Sequence, residues 1–268
     1  MMNIEHLFSL QDRSALVTGG SRGIGRMIAE GFLRAGARVY ISARKADACD
    51  AAARELSELG TCVSLPGDVS TLDGINALVA ELQKHESSLD ILVNNAGAAW
   101  AAPYDEFPEG GWDKVVDLNL KTPFFLTQAL TPMLEKAATD HLAKVINTAS
   151  INGITLNPRR DTYSYHASKA GLIHLTKRMA VELAPRRIVV SAIAPGPFAS
   201  SMNKEARDQA AEVARRVPLG RIGEAEDMAG AAIFLASRAG DYVVGSTVVV
   251  DGGSAWARIN RGETVPTG

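Results

Sequence analysis

The chain has 268 residues, with 28 basic against 30 acidic side chains and a formal charge of −2 at pH 7. That balance argues against nucleic acid or an anionic membrane surface as a partner, and two cysteines, Cys49 and Cys62, exclude a disulfide framework and fit a reducing compartment. The first dozen residues carry acids and no basic leader, and the most apolar run, 228–236, is too short to cross a bilayer, so a soluble, cytoplasmic protein is expected.

In chain order, short β-branched runs bounded by Gly, Pro, Asn or Asp fall at 14–18, 38–42, 61–66, 91–94, 144–149, 188–193 and 246–250. Their lack of polar alternation is the mark of strands buried on both faces. Helical stretches lie between them at 24–35, 46–59, 72–87, 112–137, 163–184 and 224–237. Such alternation predicts an α/β fold: a doubly wound, parallel, seven-stranded sheet with helices on both faces. No linker or repeat divides the chain, so a single domain over 1–268 is expected, with low order only in the tails, about 1–12 and 254–268. The segment 196–219 breaks the alternation directly after a strand, and reads either as a substrate lid or as an ordinary surface excursion.

Between the first strand and the first helix stands Thr18-Gly19-Gly20-Ser21-Arg22-Gly23-Ile24-Gly25. Glycines there permit a tight turn and close approach of the backbone to a pyrophosphate, whose charge the free N–H groups of the helix start receive. An NAD site of this kind places a carboxylate at the end of the second strand, on the ribose 2′-hydroxyl. Here that strand ends Ser42-Ala43-Arg44, with no acid before Asp47. Arg44 and Arg22 suit a 2′-phosphate instead, so NADP(H) is the expected cofactor.

Farther on, Tyr165 and Lys169 are four residues apart in a helical stretch and so share one face. A free phenol, with a pKa of about 10, is a poor proton donor or acceptor at neutral pH; a fixed cation beside it favours the phenolate. The pair reads as an acid/base couple. Tyr163 lacks a lysine four residues on, Ser168 is off that face, and His166 is read as surface or packed. Leu172, Leu175, Met179 and Leu183 form a core or interface stripe. No metal-ligand cluster is read.

These motifs together resemble the short-chain dehydrogenase/reductase family over nearly the whole chain. Thr18–Gly25 resembles its TGxxxGxG loop and Asn94-Asn95-Ala96-Gly97 its NNAG turn, while Asn119, Ser150, Tyr165 and Lys169 fall in the order of its catalytic tetrad. Within the family the chain is similar to 3-oxoacyl-acyl carrier protein reductases, and its wording over 21–33 and 38–44 to the subgroup associated with rhamnolipid formation. The resemblance implies a Rossmann fold and a hydride transferred between the cofactor and a ketone, such as a 3-oxoacyl thioester. It assigns cofactor contacts to Gly19, Ser21, Arg22, Gly23, Ile24, Gly25 and Arg44. It adds Asp68 and Val69 at the adenine, Asn95, Ala96 and Gly97 on the adenosine side, and Tyr165 and Lys169 at the nicotinamide ribose. Pro195, Gly196 and Ser200 follow beside the nicotinamide, with Ile193 meeting its carboxamide. By the same analogy Asn119 holds a water that links Lys169 to solvent.

Two departures stand out. The interval from Ser150 to Tyr165 is longer than is usual in the family, filled by Asn157-Pro158-Arg159-Arg160-Asp161, and Ser200 stands where relatives often have threonine. Trp100, Ile151, Phe198 and Met202 are candidate apolar groups at the substrate mouth, and Arg186, with Arg187 beside it, a candidate contact for acyl carrier protein. A homodimer or homotetramer is implied by the resemblance. The rival readings are an alcohol or sugar dehydrogenase on the same scaffold and a cofactor-binding regulator without turnover. A hydrolase built on Ser150 and Lys169 fails for want of a Gly-x-Ser-x-Gly elbow.

Overall fold

Strands β1 (Ser14–Thr18), β4 (Ile91–Asn94), β5 (Ala143–Thr148) and β6 (Ile188–Pro195) are buried at every residue, as runs without polar alternation require. With β2 (Arg38–Ser42), β3 (Cys62–Ser64) and β7 (Thr247–Val250) they pair in parallel, in the order β3-β2-β1-β4-β5-β6-β7. This is the doubly wound order, whose reversal between β1 and β4 opens a crevice at the carboxyl ends of the strands. The structure, a computed structural model, describes residues 3–156, 161–200 and 202–257.

Two cores cover the sheet. On one face α2 (Gly23–Arg34), α3 (Ala46–Leu56) and α10 (Ala225–Ala236) bury Ile28, Phe32, Leu56 and Leu235 against Val17, Val39 and Ile41. On the other, α4 (Leu72–Leu82), α6 (Thr122–Ala137) and α7 (Tyr163–Leu183) bury Leu78, Leu82, Leu130 and Met179 against Leu16, Leu92 and Val145. Leu172, Met179 and Leu183 are all buried and Leu175 packs on the same cluster, so the α7 stripe belongs to the core.

Three expectations need correction. The first dozen residues are not structureless: α1 (Ile4–Phe8) is capped by Asn3 and followed by the fully buried Leu10. In the expected tail, Ser254 donates to the Asp251 carbonyl at 2.7 Å and Ala255 is buried, while 258–268 lie outside the described residues. The helix expected at 112–137 is really α5 (Glu109–Val116), a π-helical turn (Asp117–Lys121) and α6. Sequence explains that break, because Pro123 has no N–H to give to the Asn119 carbonyl four residues back.

A buried polar chain sets the register of α7 on the sheet. Asn94 Nδ2 donates to Asn147 Oδ1 at 2.9 Å and Asn147 Nδ2 to Thr176 Oγ1 at 2.9 Å, while Lys169 Nζ donates to the Thr148 carbonyl at 2.6 Å. Thr176→Val keeps the shape and leaves the Asn147 donor unpaired in the core, a loss of about 1–3 kcal/mol. Urea unfolding should show it as a lowered midpoint, and an unchanged midpoint would show that the chain holds nothing in place.

Candidate active site

The crevice is a cleft of about 1410 Å³ along the carboxyl edge of the sheet. One wall is the loop after β1 and the start of α2. Gly19 and Gly23 have φ of +68° and +55°, where a side chain is strained, and a Cβ on Gly25 would lie 2.3 Å from the Gly19 carbonyl oxygen. Thr18 and Asn95 brace this turn. The Thr18 hydroxyl donates to the Val93 carbonyl at 3.2 Å and accepts from the N–H groups of Asn95 and Ala96 at 3.0 Å, and Asn95 Nδ2 donates to the Thr18 carbonyl at 2.9 Å. Asn95 therefore acts on the loop, although it also borders the cleft. The tight turn leaves the N–H groups at the start of α2 facing the cleft, a cradle for a diphosphate.

The residues fit a 2′-phosphorylated dinucleotide on independent grounds. Arg22 and Arg44 line the cleft and have no carboxylate partner among the described residues. Ser42 Oγ, also lining it, is buried without a hydrogen-bond partner, and so is Thr148 Oγ1 farther along. Two orphaned hydroxyls on one cleft wall ask for a polar occupant. Asp68 and Val69 border the adenosine end, and Ala96, Gly97, Ser21, Ile24, Pro195, Gly196 and Ser200 complete the lining. Of the residues expected to touch the cofactor, all but one line this cleft. Ile193 is the exception: it is fully buried in the core of β6.

Around the middle of the cleft the structure gathers Ser150, Tyr165 and Lys169. The Lys169 ammonium lies 5.8 Å from the centre of the Tyr165 ring, and burial alone pulls its pKa down to about 8. Ser150 Oγ accepts from the Asn152 N–H at 3.1 Å, so its own proton is left to give. Asn119 stands behind them and does not reach the cleft. Its Oδ1 accepts from the Ala98 N–H at 2.8 Å, and its Nδ2 donates to the Ala98 carbonyl at 2.9 Å and to Ser168 Oγ at 3.2 Å. Ser168, set aside on face arguments, is therefore the link between Asn119 and α7, since its hydroxyl also donates to the Tyr165 carbonyl at 2.9 Å. His166 Nδ1 is held by the Thr162 carbonyl at 2.9 Å, and Tyr163 joins Tyr104 and Phe107 in an edge-to-face cluster outside the cleft.

The mouth differs in detail from expectation. Ile151, Met202 and Phe198 line it; Trp100 does not, and packs its ring on Gly111 and beneath Lys114. Met202, 45 % exposed, and Leu156, 81 % exposed, leave bare apolar surface on the cleft. The 196–219 excursion forms α8 (Lys204–Asp208) and α9 (Ala210–Ala214), clasped by Arg216 to Glu205 at 2.6 Å and to Glu212 at 3.0 Å, and it lines the cleft with Val213 and Val217. Of the extra residues after Ser150, 157–160 lie outside the described residues.

This geometry defines a nicotinamide-dependent oxidoreductase, and comparison with known proteins agrees. The family profile described as "Enoyl-(Acyl carrier protein) reductase" matches residues 19–255, and the chain belongs to the short-chain dehydrogenase/reductase family. It is 46 % identical over 250 residues, 92 % of this chain and 97 % of the other, to the rhamnolipids biosynthesis 3-oxoacyl-[acyl-carrier-protein] reductase of Pseudomonas aeruginosa. The solved RhlG/NADP active-site complex from that organism superposes with a TM-score of 0.90 at 43 % identity, covering 95 % of this chain and all of that one. A 5-keto-D-gluconate 5-reductase of Escherichia coli is 38 % identical over 253 residues, 92 % of this chain and 97 % of that protein.

Gly25→Ala sets a methyl group against the Gly19 carbonyl and distorts the diphosphate cradle. Titration with NADPH, followed by its fluorescence, should show affinity weakened more than roughly tenfold in a protein that still folds; undiminished affinity would remove the loop from the cofactor site.

Proposed function

We propose that the chain is an NADPH-dependent reductase of hydrophobic ketones, with 3-oxoacyl thioesters as its substrate class. The carrying observation is a buried ammonium, Lys169, beside the Tyr165 phenol on the floor of a cleft whose far end suits a 2′-phosphorylated dinucleotide. NADPH, when bound, supplies the hydride to the carbonyl carbon. Ser150 donates a hydrogen bond to the carbonyl oxygen and strengthens its hold as negative charge grows there. Tyr165 gives its proton to that oxygen, and the Lys169 ammonium stabilises the phenolate left behind by Coulomb attraction. Asn119 acts at one remove, fixing the Ala98 backbone and, through Ser168, the turn of α7 that carries Tyr165. That positioning stands beside the water relay to Lys169 which the family resemblance implies for Asn119.

The bare apolar groups Met202 and Leu156, with Ile151, Val213 and Val217 inside, favour an acyl chain over a sugar. We extend the reading to acyl carrier protein as one carrier of the thioester. Arg186 is partly exposed but already paired to Glu135, and Arg187 is committed to the Ala138, Thr139 and His141 carbonyls, so docking would exchange Glu135 for an acid of the carrier. Exposed Phe124 and Val181 on α6 and α7 are apolar surfaces that a second copy would cover in a homodimer or homotetramer.

Reduction of acetoacetyl and longer 3-oxoacyl thioesters should be followed by NADPH consumption, beside keto-gluconates. Preference for the sugar acids would overturn the substrate class. Tyr165→Phe should keep NADPH affinity and lose roughly 10²–10⁴-fold in kcat; a variant as fast as the parent would strip Tyr165 of its part. The pH dependence has a definite sign. The charged form of Lys169 predominates below about 8 and is lost above it. Ketone reduction, which consumes a proton, should therefore slow as pH rises through about 8, and alcohol oxidation should not share that decline. A flat reduction profile across that range would contradict the role of the ammonium.

A further inference from the structure

Resting on the NADPH reading above, we infer that Lys114 is a cofactor-binding residue, a cation that meets the phosphates of the dinucleotide from the wall opposite the phosphate loop. The cleft is lined by several cationic side chains, of which two are already answered. Arg216 is paired to Glu205 and Glu212, and the Lys169 ammonium is buried on the Thr148 carbonyl. Arg22, Arg44, Lys45 and Lys114 have no carboxylate partner among the described residues. The first three belong to the loop after β1 and the end of β2. Lys114 is the fourth, and it comes from the other side of the sheet.

Its place follows from helix spacing. Lys114, Leu118 and Thr122 succeed one another at four-residue steps from α5 through the π-helical turn into α6, and so form one stripe. Thr122 Oγ1 donates to the Val69 carbonyl at 2.6 Å, and Leu118 packs in the same core cluster as Val69. The stripe thus starts beside Val69, and Lys114 at its other end lines the cleft. Helix α5 packs against α7, on the face of the sheet opposite α2, so Lys114 and Arg22 reach the cleft from opposite faces of the sheet. The ammonium is held there: it lies 5.3 Å from the centre of the Trp100 ring, whose own position is fixed by contact with Gly111. A lysine pinned by an aromatic face, and given no acid, keeps its charge for a ligand. The ligand of this cleft is polyanionic, with a diphosphate and a 2′-phosphate that alone carries about −1.5 to −2.

The test is direct titration of the protein with NADPH and with NADH, read by nucleotide fluorescence, for the parent, Lys114→Met and Lys114→Arg. Lys114→Met keeps the stem over Trp100 and removes only the charge. The dissociation constant should rise about three- to tenfold at low ionic strength and less at high, and Lys114→Arg should restore it. Loss with both nucleotides assigns the ammonium to the diphosphate, and loss with NADPH alone assigns it to the 2′-phosphate. Unchanged affinity for both in Lys114→Met would overturn the inference while leaving the NADPH reading intact, whereas a parent protein that bound neither nucleotide would overturn both. A Lys114→Met protein with normal nucleotide affinity but a raised KM for carboxylate-bearing ketones alone would move the cation to the substrate and likewise end the case.

Discussion

Burial of one ammonium group organises this site. Lys169 is shut away from water at the carboxyl edge of the sheet, where its ammonium donates to the Thr148 carbonyl beside the Tyr165 ring. Placing a cation there is costly, since desolvation disfavours the charged form, and its pKa falls to about 8 accordingly. The surrounding structure is what holds it in place. The Asn94–Asn147–Thr176 chain pins α7 to β4 and β5 two turns below, and Asn119 with Ser168 pins its first turn to the loop after β4. With both ends fixed, Tyr165 and Lys169 have little freedom to part.

The same strand ends serve two ligands. β1 and β2 end in the glycine turn and in Arg44, groups suited to phosphate, while β5 and β6 end in Ser150 and the Pro195-Gly196 turn, groups suited to a carbonyl and a planar ring. The switch in winding direction between β1 and β4 separates the helices above the crevice and makes room for both. The excursion after β6 lines the cleft with Met202, Val213 and Val217. Groups suited to the cofactor thus lie on the regular half of the winding pattern, and the apolar lining of the mouth on loops that interrupt it.

Most of the architecture was legible because buried parallel strands leave an unmistakable run of β-branched residues: β1, β2 and β4 have the bounds the sequence suggested. The cofactor turn was legible because only glycine tolerates its geometry. What escaped depended on three-dimensional detail. The π-helical turn that sets Asn119 aside had a signal in Pro123, which denies a bond to one carbonyl without ending a helix already under way. Trp100 looked like a mouth residue by its hydrophobicity, but Gly111 offers its ring a closer seat on α5. Ile193 was placed at the nicotinamide by family resemblance, yet its side chain is fully buried in the core. Lys114 carries no motif, and only its four-residue spacing from Leu118 and Thr122 could have pointed to the cleft.

The central proposition is that Lys169 titrates near the working pH because its surroundings are dry. Direct observation of that lysine by NMR, with labelled side-chain carbon or nitrogen followed through a pH series, measures it without any turnover. Half-deprotonation at about 8 is the expected result. Titration at the ordinary lysine value of about 10.4 would show an ammonium open to water and contradict the account.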